Sequence, residues 1–341
     1  MIIVYYRLKN EWILFMDNIS VSVIVPIHGF GDYVYRCMDS LREQTLQNIE
    51  IIIVDDASEE DIKGLLSNYL ESEHFHYIRS DKRVGAGGAR NIGLKNTSGE
   101  YVGFCDCDDW VDLDYYEKMY QRMMITDADI AMSGQIREYD EPVKNQIYKC
   151  RYEHEIALSG HMAFQIMTYS YNVGVQVIPP CTNKLYRKDF LTELDAQFQE
   201  NVYFQDTILS FQVIPYAKKI ICVPSTLYHH YRRKGSVIQS FDYKHIDDLE
   251  NFGRTIRNIL EADGAFEKYK KNYYQTVSHF YGIVIREIFS FVHDETERKH
   301  AISKTFQTLK NIIVLEEYID CISSEQLRHH LIPEMDDTTL Y

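Results

Sequence analysis

No stretch of this 341-residue chain approaches the ~18 consecutive apolar residues that a membrane-spanning helix needs. Positive charge is also short: 36 Lys and Arg against 51 Asp and Glu give a formal net charge of -15. That balance argues against nucleic acid as a bulk partner, because phosphate binding requires a basic face. Local basic clusters can still hold one small anion. The seven cysteines follow no paired spacing, so no disulfide framework is expected and a reducing, cytoplasmic setting fits better. Cys105 and Cys107 form C-x-C rather than the C-x-x-C of a zinc knuckle, and read as small residues at a strand end. No internal repeat or low-complexity segment appears. The opening MIIVYYRLKNEWILFMDNIS is interrupted by Arg7, Lys9, Asn10 and Glu11 and has no cleavage-site pattern. Residues 1–20 read as an uncertain N-terminal extension, with Met16 as an alternative start.

What is present begins at Val21. VSVIVP (21–26) is a short β-branched run that reads as a buried strand stopped by Pro26, and IEIIIV (49–54) is a second, ending in Asp55 and Asp56. FHYIRS and YVGFCD are further strand candidates. Between them lie Val34, Cys37, Met38 and Leu41 at helical spacing, then Ile62, Leu65, Leu66 and Tyr69, with Ser58 and Asp61 resembling a capping box. GAGGARNIGLKN opens a short helix. Strands and helices alternating at this pitch predict an α/β sandwich around a largely parallel sheet. Further on, ADIAMSG and KKIICVP read as strands and VIPPCTNKLYRKDFL as a loop entering a helix. From Tyr243 the texture is helical: Leu249, Phe252, Ile256, Ile259 and Leu260 share one face, as do Val277, Phe280, Val284, Ile288 and Phe291. This predicts a helical appendage over 241–341.

The chemistry gathers at strand ends, where open α/β sheets bind ligands. VGFCDCDDW places Asp106, Asp108 and Asp109 within four positions. Two carboxylates ~4 Å apart repel by about 1 kcal/mol in water and about 4 kcal/mol at an effective dielectric of 20. A divalent cation held by oxygen ligands removes that cost, and the plain alternative is a solvated turn capping the next helix. GAGGARN can aim backbone N–H groups at a phosphate, or it can be a simple flexible turn. A dinucleotide-binding reading of Gly85, Gly87 and Arg90 stays open, weakened by the bulky Arg90 where close packing needs Gly or Ala.

Taken together, VSVIVPIHGFGDYVYRCMDSLREQTLQNIEIIIVDDAS and GAGGARNIGLKNTSGEYVGFCDCDDW resemble the nucleotide-binding half of the family-two inverting glycosyltransferases. The likeness resumes at NKLYRKDFL, VYFQDTILSF and TLYHHYRRKGSV, and so spans roughly 21–240. It implies a GT-A fold and a nucleoside-diphosphate sugar donor, with UDP the expected carrier. Position by position, it implies that Pro26 and Asp56 line the base, that Arg90 and Asn91 border the donor pocket, and that Asp106 lies near the ribose. Asp108 would be the ligand of Mn2+ or Mg2+, Asp206 the catalytic base, and Arg232 a clamp on the diphosphate. Read without it, Asp206 is as easily an N-cap or surface carboxylate. Arg233 and Lys234 read as a solvated basic turn, and His229 and His230 as packed or exposed histidines in preference to a further metal ligand.

Three departures stand out. His28 and Gly29 replace a common Tyr-Asn, Ala57 replaces a glycine suited to positive φ, and Gln205 replaces the usual Glu before the base. Gln205 is the one hint towards a catalytically silent GT-A module that binds nucleotide sugar or glycan. The implied acceptor is a glycan or lipid-linked sugar, with peripheral contact at the inner membrane face as a possibility. Tyr269, Tyr273, Tyr274 and Tyr281 with Lys270 and Lys271 could touch such a surface, although helix packing is the simpler account.

Overall fold

Three strands are buried along their whole length, Val21–Ile27, Ile49–Asp55 and Tyr101–Phe104. Continuous β-branched runs suit a parallel sheet covered on both faces. The computed structural model describes residues 4–8, 11–15, 19–139, 147–169, 174–232 and 241–322. In chain order these form β1 (Val4–Leu8), β2 (Glu11–Phe15), β3 (Val21–Ile27), α1 (Tyr33–Arg42) and β4 (Ile49–Asp55). The short helices α2 (Ile62–Leu65) and α3 (Ser67–Leu70) precede β5 (Phe75–Arg79), α4 (Gly85–Lys95), β6 (Tyr101–Phe104) and β7 (Trp110–Val111). Next come α5 (Tyr115–Thr126), β8 (Ile130–Glu138), β9 (Ile147–Cys150), β10 (Ile156–Leu158) and α6 (Gly160–Met167). They are followed by β11 (Lys184–Arg187), α7 (Lys188–Glu193), α8 (Gln205–Val213) and β12 (Ile220–Tyr231). The chain then runs through α9 (Tyr243–Ala262), α10 (Phe266–Phe291), α11 (Glu295–Ile312) and α12 (Leu315–Cys321).

Two compact units result. The sheet unit comprises Met1–Gly160, Pro180–Asn201 and Tyr216–Tyr231, and the helical unit His161–Pro179, Val202–Pro215 and Arg232–Tyr341. In the sheet unit, β1 and β2 pair as an antiparallel hairpin. The main sheet has the order β10-β12-β8-β11-β6-β3-β4-β5, with β7 on β12 and β9 on β8. The β6-β3-β4-β5 part is parallel, as the alternation predicts. The rest is mixed, because β11 inserts antiparallel between β6 and β8. Sequence reading places a loop there. Lys184, fully buried, interrupts the apolar pattern, and its ammonium donates to the Pro180 carbonyl at 2.5 Å and to Asn183 Oδ1 at 2.8 Å.

The covering helices follow their periodicity. Val34, Cys37, Met38 and Leu41 of α1 all face the core, each such side chain contributing roughly 1.5–3 kcal/mol when fully buried. At α4, Gly93 lets helix and strand touch: a Cβ there would lie 2.4 Å from Ile24 Cγ2. Two expectations fail around α2. The helix is capped by Asp61, whose carboxylate accepts the Gly64 amide at 3.0 Å, while the Ser58 hydroxyl accepts the Gly29 amide and its own amide donates to Asp55. Leu65 is 41% exposed, because the helix breaks at Leu66 and restarts out of phase as α3.

In the helical unit, Leu249, Phe252, Ile256 and Leu260 of α9 and Val277, Val284 and Ile288 of α10 are buried as the pattern requires. Phe291 is exposed, since it is the last residue of α10. The tyrosines offered to a membrane surface pack inward instead. Tyr269, Tyr273, Tyr274 and Tyr281 are buried, and Tyr273 and Tyr274 donate to the Ile312 carbonyl and Glu317 at 2.6 and 2.7 Å. Lys270 pairs with Glu267 and Glu317. Among the described residues no helix is long and apolar enough to cross a membrane.

Candidate active site

After β3 the chain moves to β4 and β5 on one side, then returns to lay β6 on the other. The carboxyl ends of β3 and β6 therefore form a topological switch point, the place where open α/β sheets bind their ligands. The strands part there: pairing of β3 with β6 ends at Ile24 and Phe104, while pairing with β4 continues to Ile27 and Asp55. Pro26 lies beyond the last β6 partner, and the strand continues one residue past it.

Asp55 and Asp56 leave β4 side by side but face different tasks. Asp55 is fully buried and accepts from the Ser58 amide, Tyr77 and Arg79. Burial alone would raise its pKa, but these donors together hold it below the usual carboxylate range. Asp56 accepts the Val84 and Gly85 amides at 2.7 and 2.8 Å. Those first amides of the glycine turn are thus occupied by a protein carboxylate rather than turned towards a phosphate. Gly85 has φ +74°, and a Cβ there would meet the Asn201 backbone at 3.1 Å. Between the two aspartates and the helix, Ala57 sits at φ +52°, the positive angle that the sequence comparison with a glycine suggested.

The acidic turn is compensated from within. Arg90, 2% exposed, reaches from α4 to donate to Asp106 Oδ1 at 2.5 Å, its guanidinium lying 5.4 Å from the Phe198 ring centroid. Asp109 is buried. Its carboxylate accepts from the Tyr228 hydroxyl at 2.6 Å and the Tyr231 amide at 2.9 Å. Burial, then repulsion from Asp108 and Asp106, raises its pKa well above the ordinary value despite those donors. Neither Asp106 nor Asp109 caps the next helix, which begins at Tyr115 after Asp114. Asp106 and Asp108 remain half-buried.

Asn91 turns the other way. Its amide group donates to the Phe198 carbonyl at 2.8 Å and accepts the Phe198 amide at 2.9 Å, clamping the 196–201 loop like a neighbouring strand. His229 is packed, as the simpler reading of it expects. It lies between Glu138 at 2.8 Å and Asp112 at 3.0 Å, stacked on Trp110 at 5.0 Å. Burial alone would lower its pKa, and the two carboxylates outweigh burial and raise it. Both its nitrogens are engaged in protein contacts. The remaining two candidates belong to the helical unit. Asp206 is half-buried in the first turn of α8, and Arg232 directly follows β12. Arg233 and Lys234 lie outside the described residues.

Among the described residues no group of three or more His, Cys, Asp or Glu side chains is arranged to cage a metal ion. The donor set is nevertheless suitable for a hard cation that arrives with its ligand. Mg2+-like ions commonly take one or two carboxylates and complete their shell with phosphate oxygens and water, and Asp106 and Asp108, both half-buried, carry oxygen donors of that kind.

A family model, glycosyl transferase family 2, matches residues 22–195, half of the chain. The glycosyltransferase GlyG of Streptococcus pneumoniae is 29% identical over 249 residues, covering 71% of this chain and 81% of GlyG. A cholesterol galactosyltransferase of Borreliella burgdorferi is 27% identical over 313 residues, covering 89% of this chain and 86% of that protein. Among solved structures, residues 1–349 of Staphylococcus aureus TarS in complex with UDP-GlcNAc superpose with a TM-score of 0.59 at 16% identity, covering 86% of this chain and 90% of that one. The architecture is the GT-A fold expected from the motifs.

Proposed function

Because the chain belongs to glycosyl transferase family 2, we propose that it is an inverting enzyme using UDP-sugar as donor and a hydroxyl of a glycan or lipid-linked sugar as acceptor. The observation that carries this reading is the placement of Asp106 and Asp108 just after β6 at the switch point, with Asp106 oriented by the buried Arg90. Pro26 and Asp56 sit at the adjoining strand ends, where a nucleotide base would lie. Asn91 contributes by holding the loop beside α4, and Arg232 is proposed to close on the diphosphate with a bidentate fork.

An acceptor hydroxyl has a pKa far above neutral and needs a positioned base as it attacks. Asp206 is proposed to take that proton on its carboxylate while the acceptor oxygen bonds to the anomeric carbon. The bond from that carbon to the diphosphate oxygen breaks in the same displacement, its electron pair leaving with the nucleotide, and the configuration inverts. When bound with the nucleotide, Mn2+ or Mg2+ on Asp108 supplies Lewis-acid neutralisation of the departing charge. Arg90 keeps Asp106 aimed throughout, and Tyr228 with the Tyr231 amide fixes Asp109 three positions further on.

The donor class finds support in the UDP-GlcNAc complex of TarS, and the relative named as a cholesterol galactosyltransferase supports transfer of a hexose to a hydroxyl without specifying a sugar acceptor. A lipid-linked acceptor would bring the enzyme to the cytoplasmic face of a membrane. Any such contact runs through surfaces other than the buried tail tyrosines. The test is a panel of nucleoside-diphosphate sugars screened by thermal shift with Mn2+ and then assayed for donor consumption. A ligand that binds only the folded form raises its melting point, so UDP-sugars should stabilise the protein and one should be consumed. Absence of both effects across the panel would overturn the reading.

A further inference from the structure

The residues that lead into α8 are tied to α9 and α10 at every step. The Tyr203 amide donates to Asp248 Oδ2 at 2.8 Å, and the Lys244 ammonium binds the same carboxylate. Lys244 also lies 5.1 Å over the Tyr203 ring, whose edge meets the His245 ring at 4.1 Å between centroids. Behind them, His245 Nδ1 is 3.0 Å from Glu287 of α10, and both side chains are buried.

Phe204 follows at φ +63° and ψ 13°. A bulky L residue holds that left-handed conformation only where its surroundings over-determine it. Its ring packs on Phe280 and Phe252 at 4.9 and 5.7 Å between centroids. Its carbonyl accepts the Thr207 and Ile208 amides at 3.0 and 3.1 Å, which starts α8. Asp206 therefore stands two residues past a strained turn that side chains of both α9 and α10 contact. Simple helix packing at position 248 would be served by an apolar residue. A nearly buried carboxylate that takes a backbone N–H instead specifies where that backbone lies.

We infer that Asp248 is a positioning residue for the base, and that at this site α9 and α10 hold the Tyr203–Phe204 turn in the conformation that presents Asp206. The inference rests on the reading of Asp206 as the base. A general base must lie within hydrogen-bond reach of its proton, and a misplacement of about 1 Å can cost on the order of 100-fold. Loosening the turn should therefore appear in kcat and leave donor binding alone.

The experiment compares Asp248→Ala, Asp248→Asn and Asp206→Asn in the full chain. Initial rates are measured with the UDP-sugar that the panel identifies, and binding of UDP with Mn2+ by calorimetry. Asp248→Ala should lower kcat at least tenfold with donor KM and UDP affinity within about twofold of wild type. Asp248→Asn, which keeps an oxygen for the Tyr203 amide, should recover most of that loss. Unchanged kcat in Asp248→Ala, or a parallel fall in kcat and UDP affinity that Asn does not restore, overturns the inference. If Asp248→Ala yields no folded protein, Lys244→Met decides, with a threefold or larger fall in kcat at constant KM expected and an unchanged kcat counting against the inference. Turnover retained by Asp206→Asn would instead defeat the assignment of the base, whichever result the Asp248 variants give.

Discussion

The Tyr228 hydroxyl donates to the Asp109 carboxylate at 2.6 Å while accepting the Asp106 amide at 3.1 Å. One buried side chain on β12 thus staples both ends of the acidic turn. Its own pKa is raised well above the ordinary phenol value by burial and by Asp109, so it remains a donor. Tyr228→Phe keeps the ring against Tyr115 and removes only this bridge. We expect a stability loss of about 1–3 kcal/mol, the cost of leaving a buried polar partner unsatisfied, read by urea denaturation. UDP binding in Mn2+ should weaken in the same variant, read by calorimetry.

Asp206→Asn should lower transfer by about 10²–10⁴-fold, the usual contribution of a general base. Binding of UDP should stay within about twofold of wild type, because the donor contacts proposed here lie at the strand ends. Single-turnover measurements with the active UDP-sugar check both halves of the statement.

Asp108→Ala should weaken UDP binding at least tenfold in the presence of Mn2+ and leave metal-free binding almost unchanged. The contrast between the two titrations separates a metal ligand from a residue that merely shapes the turn. Equal affinity of variant and wild type in Mn2+ would remove Asp108 from the metal site.

His229 carries the pH dependence. Its folded pKa lies above its ordinary value of about 6.5, on balance because Asp112 and Glu138 flank it. A raised pKa gives stability that is fully present below the unfolded value and lost as pH rises through the folded one. Asp112 has its pKa lowered in the same contact, burial opposing and His229 with the Leu227 amide prevailing, so its contribution appears above the ordinary carboxylate value and fails only in acid. The stability difference between wild type and His229→Asn should be about 2 kcal/mol near pH 6 and shrink towards pH 9. Denaturation midpoints across that range measure it. A difference that grows with pH would show that the imidazolium is not the stabilised form.

Much of the fold is legible because burial is written locally. The runs at 21–27, 49–55 and 101–104 read as interior strands and the spacing of Val34, Cys37, Met38 and Leu41 as one helix face, and the structure has them so. The loop reading of 184–187 fails for a local reason as well: a buried lysine hides the strand until its acceptors at Pro180 and Asn183 are known.

Local patterning suffices for the strand-helix alternation, the helical tail and the crowding of Asp106, Asp108 and Asp109 at a strand end. How those three differ is set by the three-dimensional fold. Asp106 meets an arginine 16 positions earlier and Asp109 a tyrosine 119 positions later. It likewise turned Asn91 towards Phe198, 107 residues away, and set Asp248 against the Tyr203 amide across 45 residues. Periodicity records which side of an element is dry, a property of neighbouring residues. A hydrogen bond between distant segments depends on how the sheet is ordered, and strand order leaves no mark within either segment.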